Sequence, residues 1–346
     1  MAKDKKTSLM SPSLQDDDKM EDTILRPTAF SGFMGQEKVK DNLKVFINSA
    51  KKRSEALDHV FLSAPPGLGK TTLAGIIASE MGVPIRYTSA PVLDKPKDLA
   101  GILTNLGENS VFFIDEIHRL KPALEEMLYI AMEDFELDWV VGQGPSARTM
   151  RVPLSPFTLI GATTKAGGVS APLYSRFGIT VRLDFYSGEE LKLIIRRNEK
   201  IMGVEFTPSA ADILSKASRG TPRIANRLIK RLRDFAVNED KKIIDEQLLT
   251  NALKRLEINE NGLEAQDINI LKNIIYHYGG GPVGAETLAI SIGESIDTLE
   301  DFYEPYLIQC GYLKRTPRGR VVTQAAYKLI GSSFSGGSDE NDRFLF

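Results

Sequence analysis

The segment from Ala64 to Thr72, with the sequence APPGLGKTT, contains the residues with the clearest chemical meaning. An apolar run precedes it and an apolar pattern of helical spacing follows it, which predicts a strand, a loop and a helix. In such a loop the glycine N–H groups surround phosphate oxygens, the lysine reaches the β- and γ-phosphates, and Thr71 offers a hydroxyl to Mg²⁺. We therefore expect ATP and Mg²⁺ to contact Gly67, Gly69, Lys70, Thr71 and Thr72.

Two adjacent carboxylates, Asp115 and Glu116, end the apolar run 111–114. A buried strand would fix Asp115 close to the metal ion, while Glu116 would polarise the water that attacks the phosphate. Acidic residues at a strand end also cap the next helix, and this alternative stays open for the segment taken alone. Together with the phosphate-binding loop, the pair predicts ATP hydrolysis.

Three further polar residues could complete such a site. Thr164 follows the apolar run 159–162, where it would lie beside the γ-phosphate and the attacking water, or cap a turn. Arg176 precedes a later strand pattern, and Arg223 stands at the start of a helical one. An arginine near the γ-phosphate of a neighbouring subunit stabilises charge that develops during phosphoryl transfer. Taken singly, each arginine is more typical of a solvent-exposed surface.

The composition is that of a globular chain with an ample core: 346 residues, 42% hydrophobic and 26% charged, with a net charge of −2. This length predicts two or three domains. The single cysteine, Cys310, excludes an internal disulfide framework and fits a reducing compartment. No apolar stretch of about 18 residues occurs, so we expect neither a membrane span nor a signal peptide, and a cytoplasmic location. His59, His118 and His277 are too scattered to form a metal site.

The chain divides into five segments by pattern. Residues 25–184 alternate short strand patterns with helical ones, which predicts a parallel α/β sheet. Residues 185–258 predict a small all-helical domain, and residues 259–330 predict a winged helix. The polar tails 1–24 and 331–346 are expected to be disordered. The expected strands of the sheet are His59–Ser63, Val83–Tyr87, Val111–Asp115, Phe157–Ala162 and Ile179–Leu183. The expected helices of the small domain are Gly188–Lys200, Ser209–Ser218, Pro222–Val237 and Asp245–Leu256.

The winged-helix segment separates its charges. An expected helix from Asp297 to Cys310 carries four acidic residues and no basic one, so it is unsuited to a groove lined by phosphates. The basic residues follow it around a turn expected to form the wing. We predict that the wing contacts DNA phosphates without reading sequence, although a solvated basic hairpin remains the alternative. The residues concerned are Lys314, Arg315, Arg318 and Arg320.

These motifs, in this order, resemble the AAA+ ATPases and, within them, the RuvB family of bacterial Holliday-junction branch-migration motors. The resemblance covers about residues 25–330. It rests on residues 25–27, 35–36, 65–72, 115–119, 133–135, 161–164, 176–179, 220–223 and 315–320. It implies that Arg176 acts on the neighbouring subunit's nucleotide and that Arg223 senses nucleotide from the small domain. It also implies that the nucleotide is lined by Leu25, Arg26, Glu133, Asp134, Phe135 and Tyr186.

The resemblance implies three kinds of partner. The chain would assemble with copies of itself into a hexameric ring and would act on double-stranded DNA and four-way junctions. Residues 136–154 predict a β-hairpin with more apolar residues than a free hairpin should expose. The family suggests that this hairpin docks onto a RuvA-type junction-binding protein, whereas packing into the core is the default alternative. The apolar residues are Trp139, Val141, Met150 and Val152.

Two positions depart from the family pattern, and other functions stay open. Ala64 replaces a glycine, which affects loop geometry only, and Tyr174 stands where an arginine is expected near a subunit boundary. A clamp loader or replication initiator would share the ATPase core, but an initiator needs a basic recognition helix. A protein unfoldase would carry an aromatic residue in the pore region 89–99, which has none. A non-enzymatic, nucleotide-dependent DNA clamp also remains possible.

Overall fold

The computed structural model describes residues 9–10, 24–141 and 148–332. The strands are β1 Val60–Ser63, β2 Ile85–Ser89, β3 Val111–Asp115, β4 Glu136–Val141, β5 Arg148–Pro153, β6 Thr158–Thr163, β7 Ile179–Arg182, β8 Glu205–Phe206, β9 Ile243–Ile244, β10 Leu313–Thr316 and β11 Gly319–Val322. The helices are α1 Glu37–Arg53, α2 Lys70–Met81, α3 Pro96–Leu103, α4 Pro122–Glu133, α5 Ala171–Tyr174, α6 Gly188–Met202, α7 Pro208–Ala217, α8 Pro222–Asn238, α9 Glu246–Arg255, α10 Ala265–Tyr278, α11 Ala285–Ile292, α12 Ile296–Thr298, α13 Glu304–Gln309 and α14 Gln324–Ile330.

Five parallel strands form the central sheet in the order β2-β3-β6-β1-β7. Side chains of β1 alternate between two apolar clusters: Val60 and Leu62 lie in one, and Phe61 lies in the other. Apolar packing on both faces explains why the strand sequences are nearly continuous apolar runs. Since all five strands are parallel, their carboxyl ends share one edge, here called the carboxyl edge, and their amino ends share the opposite amino edge.

The predicted parallel sheet is confirmed, with small shifts in strand ends. Strand β2 starts at Ile85 rather than Val83, because its pairing with β3 begins opposite Val111. Strand β6 extends to Thr163, which pairs with Ser63. The expectation of helices alone between β7 and α10 was incomplete, since β8 and β9 form a short two-stranded pair.

The antiparallel hairpin β4–β5 confirms the predicted hairpin, with Trp139 opposite Met150. Leu137, near its base, is 1% exposed and belongs to a core cluster. Val152 also packs against that cluster, as the default alternative proposed. Residues 142–147, which contain the tip, and the side chain of Val141 lie outside the described residues.

The described residues form two compact units. One contains residues 24–141, 148–205 and 220–230, and the other contains residues 9–10, 206–219 and 231–332. The division passes through the region expected to form the small helical domain. Met10, from the expected amino-terminal tail, is fully buried. The remaining tail residues 1–8, 11–23 and 333–346 lie outside the described residues.

The second unit contains the winged helix, in which α10, α11, α13, the β10–β11 hairpin and α14 share one apolar core. The acidic helix expected from Asp297 to Cys310 is a continuous helical run, Ile296–Gln309, whose middle part Leu299–Tyr303 is π-helical. Pro305 follows this part, and a proline has no N–H to donate within a helix. None of the helices in the described ranges has the length and hydropathy needed to cross a membrane.

Candidate nucleotide site and wing

The phosphate-binding loop joins β1 to α2 at the carboxyl edge. Gly67 and Gly69 have φ of 81° and 100°, which disfavour any residue with a Cβ. A Cβ on Gly69 would also approach the Phe33 ring to 3.2 Å. Ala64 does not belong to the residues with positive φ, so its departure from the usual glycine carries no backbone penalty.

Lys70 opens α2 and is buried, with 8% exposure. Its ammonium donates to the carbonyls of Ala64 at 2.8 Å and Pro65 at 3.3 Å, which folds the loop around the charge. Burial lowers the pKa of Lys70, while Asp115 and Glu116 act in the opposite direction. The loop lysine and the two carboxylates therefore form one electrostatic cluster.

Arg223 belongs to the same cluster, because its charge lowers the pKa of both Lys70 and Asp115. The net pKa of Asp115 is nevertheless raised, first by burial and then by the neighbouring Glu116. Asp115 also accepts a 3.0 Å hydrogen bond from the backbone N–H of Glu116. The structure thus brings Arg223 close enough for its charge to act on Lys70 and Asp115.

Glu116 and Thr164 meet at the carboxyl edge. The Thr164 hydroxyl donates a 3.1 Å hydrogen bond to Glu116 Oε2. Glu116 itself has a left-handed backbone, with φ of 49°, directly after the buried strand β3. This conformation is uncommon for a residue with a side chain and turns Glu116 out of the strand direction. The two residues are therefore arranged to act on the same water or phosphate.

The sequence excluded His118 from a metal site and favoured a structural or coupling role next to Glu116, rather than a role as a base. Its Nδ1 lies 2.9 Å from Thr163 Oγ1 and 3.2 Å from Glu116 Oε2. The Thr163 hydroxyl also accepts the N–H of Lys165 at 2.9 Å. His118 therefore holds Glu116 from a second side. Its position two residues after Glu116 was the only signal in the sequence.

Tyr186 lies against the phosphate-binding loop. It is 5% exposed, and its hydroxyl donates to the Leu68 carbonyl at 3.4 Å. Its backbone N–H donates to the Gly220 carbonyl at 2.9 Å, which links it to the turn before Arg223. Leu25 is 7% exposed and its carbonyl accepts from Arg197 Nη1 at 2.7 Å, whereas Arg26 is exposed. Thr71 and Thr72 are half-buried in the first turn of α2.

Arg176 and Glu133 form a separate site. Arg176 Nη2 lies 3.0 Å from Glu133 Oε2, and its guanidinium carbon lies 4.6 Å above the Tyr129 ring. Its Nε is buried without a hydrogen-bond partner. Tyr174, the second departure from the family pattern, packs its ring edge against Phe61 and is 44% exposed.

The segment Glu133–Phe135 lies near the amino edge of the sheet. Phe135 packs edge to face with Phe157 and at a tilt against His59, which precede β6 and β1 and so mark the amino edge. A four-residue strand separates the two edges by about 13 Å. Glu133, Asp134 and Phe135, which are expected to line a nucleotide, therefore group with Arg176 and lie away from the chain's own phosphate-binding loop.

Two of the four basic residues of the wing pair with the acidic helical run. Arg320 is only 13% exposed at its side chain, with Nε 2.7 Å from Oε1 of the fully buried Glu304. Arg315 Nε bonds the other Glu304 oxygen at 2.5 Å, and Arg320 Nη2 bonds Glu300. Arg315 and Arg320, both predicted to contact DNA phosphates, are thus paired with the acidic helical run, and the Arg315 side chain remains 47% exposed. Lys314 and Arg318 are exposed.

The residues present fit a magnesium-bound nucleotide. Mg²⁺ commonly keeps several waters and takes one or two protein ligands plus phosphate oxygens. Thr71 and Asp115 supply such a partial set, and the described ranges hold no cluster of three or more His, Cys, Asp or Glu residues that would form an all-protein metal cage. The glycine turn and the buried lysine supply the complementary phosphate cradle.

Three family models match successive parts of the chain. Residues 25–183 match the "Holliday junction DNA helicase RuvB P-loop domain", residues 186–259 the "RuvB AAA lid domain" and residues 260–331 the "RuvB C-terminal winged helix domain". Together they span the described sheet, the helices that follow it and the winged helix.

Individual relatives agree with these models. The chain is 64% identical over 310 residues to the Holliday junction branch migration complex subunit RuvB of Treponema denticola, covering 90% of each chain. It is 60% identical to that of Treponema pallidum, covering 94% of this chain and 92% of the relative. Among solved structures, the RuvB Holliday junction branch migration motor of Thermotoga maritima has a TM-score of 0.82 at 50% identity, covering 90% of this chain and 99% of that one.

Proposed function

The chain belongs to the RuvB family of AAA+ ATPases, and we propose that it is the ATP-driven subunit that moves Holliday junctions during recombination and DNA repair. The observation that carries the proposal is the Glu116–Thr164 pair beside Asp115 and Lys70. A pure nucleotide sensor does not need a carboxylate placed for proton abstraction. Hydrolysis, rather than binding alone, is therefore the chemistry that this geometry favours.

Within one subunit, Lys70 would pair with the β- and γ-phosphates and the N–H groups after Gly67 and Gly69 would surround them. Thr71 and Asp115 would hold Mg²⁺. Bound ATP supplies the phosphoanhydride bond whose cleavage releases free energy. Glu116 would take the proton of the attacking water, and Thr164 and His118 keep its carboxylate in place.

Arg176 would act on the nucleotide of a neighbouring subunit in a ring. Its grouping with Glu133 away from the carboxyl edge supports this, because neither residue lies beside the chain's own phosphate-binding loop. We extend the proposal to Asp134 and Phe135, which would face the neighbour with Glu133. A hexamer is the ring size that the family implies.

Duplex DNA would be held by the wing through phosphates. The exposed Lys314 and Arg318 are the freest cations there, while Arg315 and Arg320 would have to exchange glutamate oxygens for phosphate. The described residues show no basic recognition helix in this domain, since the run Ile296–Gln309 is acidic. Binding of this kind suits a motor that must pass over any sequence.

The RuvA-type partner would dock on the β4–β5 hairpin. Trp139 and Met150 are cross-strand neighbours with 37% and 55% exposure, so they offer one apolar patch beyond the core contacts of Leu137. Exposed neighbouring apolar groups are typical of binding surfaces. The expected cytoplasmic location and helicase-type activity stay predictions.

The deciding experiment is strand exchange on a synthetic four-way junction, with and without ATP and a RuvA-type partner. We expect exchange only with ATP, and stimulation of ATP hydrolysis by duplex DNA. Lys70→Ala serves as the nucleotide-site control and should abolish both. Junction binding with ATP hydrolysis that ignores DNA, and no exchange, would instead indicate a nucleotide-dependent clamp.

A further inference from the structure

Arg219 is a buried cation to which the proposed nucleotide site assigns no role. It is 3% exposed, and it lies between Ser218 and the turn that leads to Arg223. Its Nε donates a 2.7 Å hydrogen bond to the Gly262 carbonyl, and its Nη2 is bonded to Asp267 Oδ2. An arginine almost never lies fully inside a protein unless it is paired.

Gly262, Asp267 and Tyr306, which Arg219 contacts, belong to the winged helix or to the segment leading into it. Asp267 has no exposed area, and its Oδ2 also accepts the N–H of Glu264 at 2.8 Å, at the start of α10. The guanidinium carbon lies 4.6 Å from the centre of the Tyr306 ring. The Tyr306 hydroxyl in turn donates to the Asn261 carbonyl at 2.5 Å.

The backbone next to the Arg219–Asp267 pair is tightly packed. Gly262 has φ of 71°, and a Cβ there would collide with the carbonyl of Ala217, the last residue of α7. The end of α7 and the entry to the winged helix are therefore in direct backbone contact. All of these residues lie within the same compact unit.

Gly220, the residue after Arg219, is hydrogen-bonded to a different segment of the chain. Arg219 and Gly220 both have left-handed backbones, with φ of 53° and 68°, and the carbonyl of Gly220 accepts the N–H of Tyr186 at 2.9 Å. Arg223, whose charge acts on Lys70 and Asp115, lies three residues after Gly220 in the first turn of α8. Adjacent residues of one turn are thus fastened to the winged helix and to the nucleotide site.

We propose that Arg219 is a positioning residue that fastens the turn 219–223 to the winged helix through Asp267, so that a displacement of Arg223 with nucleotide state moves the DNA-holding domain. This inference rests on the proposed function and adds to it the residue that transmits the movement. A conformational change is passed on only through an element that both sites bias.

Stability alone does not account for the choice of residues. Replacing a buried ion pair by apolar residues of similar volume is often neutral or stabilising. A planar guanidinium that bonds a carbonyl, a carboxylate and a ring at once instead fixes orientation, which an apolar contact does not. Orientation is the property that a transmitting element requires.

The test compares Arg219→Met/Asp267→Asn with the wild-type chain. Asn retains an oxygen for the Glu264 N–H, and Met retains much of the arginine's volume, so no buried charge is left unpaired. Arg255→Met is the matched control, because that arginine also stacks on an aromatic ring in the same unit, 4.9 Å above Phe235. The readouts are ATP hydrolysis without DNA, duplex affinity, and ATP consumed per base pair of junction movement.

We expect the double variant to keep basal hydrolysis and duplex affinity, while its ATP consumption per base pair rises at least about fivefold, the lower end of usual coupling between sites. Unchanged consumption would overturn the proposal, as would an equal change in Arg255→Met. Should the double variant unfold, Arg219→Lys replaces it, because lysine keeps the buried charge without the planar guanidinium. Unchanged ATP consumption per base pair, or an equal change in Arg255→Met, would again overturn the proposal.

A second readout keeps this inference separate from the proposed function. If the wild-type chain hydrolyses ATP and binds duplex but does not move junctions, the proposed function fails. The change in duplex affinity between ATP and ADP then measures the link directly. A wild-type change that disappears in the Arg219 variants supports the link, and one that persists refutes it.

Discussion

Arg320 Nε lies 2.7 Å from Oε1 of Glu304, a carboxylate with no exposed side-chain area. Arg315 stands directly opposite Arg320 in the hairpin and bonds the other oxygen of the same carboxylate. Like charges in directly opposite strand positions are destabilising, and Glu304 offsets both. The acidic helical run is therefore unsuited to a DNA groove, and it also stabilises the wing by pairing with both arginines.

Mutations of the exposed and the buried wing arginines should differ in their effect on stability. Arg318→Ala should lower duplex affinity and reduce the slope of log affinity against log salt by about one, because one phosphate contact is lost. Its melting temperature should not change, since Arg318 is exposed. Salt titration of duplex binding measures the first effect, and a thermal melt measures the second.

Arg320→Ala should also weaken duplex binding but lower the free energy of unfolding by about 3 kcal/mol, because it removes a partner from a buried carboxylate. Equal stability of the two variants would contradict the buried pairing. Unchanged duplex binding by Arg315→Ala/Arg320→Ala at moderate salt would remove both arginines from the DNA contact.

Glu116→Gln should retain ATP binding and lose hydrolysis by about 10²–10⁴-fold, because the amide cannot accept the proton of the attacking water. Equilibrium binding of ATP and single-turnover hydrolysis measure the two properties separately. Glu108→Gln, at an exposed loop position before β3, is the control and should behave as wild type. Normal turnover by Glu116→Gln would end its assignment as base.

Asp115→Asn should make the nucleotide-free protein more stable at neutral pH. Burial raises the pKa of Asp115 above its usual 3.8, so the folded state binds the proton more tightly than the unfolded state. The free energy of unfolding therefore falls as pH rises from the usual pKa of Asp115 to its higher pKa in the folded state. The stability lost over this interval is still missing at pH 7. Thermal melts without nucleotide should show a higher midpoint for the variant at neutral pH, with the difference shrinking below the usual pKa. A lower midpoint at neutral pH would contradict the desolvation argument.

Arg176→Ala should lower hydrolysis by about 10³–10⁵-fold if the arginine completes a neighbour's site. Mixing Arg176→Ala with Glu116→Gln subunits should restore part of the activity. In a mixed ring some intact sites pair Glu116 of one subunit with Arg176 of the next. Steady-state ATP hydrolysis of the mixture, with ring assembly checked by light scattering, measures this. No recovery in assembled mixed rings would place Arg176 outside the neighbour's site.

Met150→Asp should abolish stimulation by a RuvA-type partner without changing hydrolysis by the isolated protein, because it charges an apolar patch outside the nucleotide site. Val92→Asp makes the same chemical change at a site with 72% exposure and should leave stimulation intact. The measurement is ATP hydrolysis against partner concentration. Equal stimulation of both variants would remove the hairpin from the docking surface.

The residues of the nucleotide site could be predicted largely because they are local in the chain. Gly67 to Thr72 and Asp115-Glu116 each form a continuous segment beside a strand, so one strand prediction places several functional groups together. Thr164 could be placed for the same reason, since it follows β6 directly. The parallel sheet then brings these strand ends to one edge regardless of side-chain detail.

Contacts between distant segments could not be predicted in this way. The pairing of Glu304 with Arg315 and Arg320, and of Arg219 with Asp267, joins residues whose separation in sequence carries no periodic signal. A charge pattern indicates sign and exposure on average, but whether an arginine faces a phosphate or a buried carboxylate depends on how helices pack.

What the sequence determined by itself was therefore the chemistry of the strand ends, since a short apolar run followed by fixed polar residues specifies both the element and the groups at its end. Tertiary structure alone decided that Glu133–Phe135 lies at the amino edge with Arg176, and that two wing arginines are neutralised from a neighbouring helix. The physical reason is that burial and ion pairing depend on three-dimensional distance, and folding brings together groups that the chain keeps far apart.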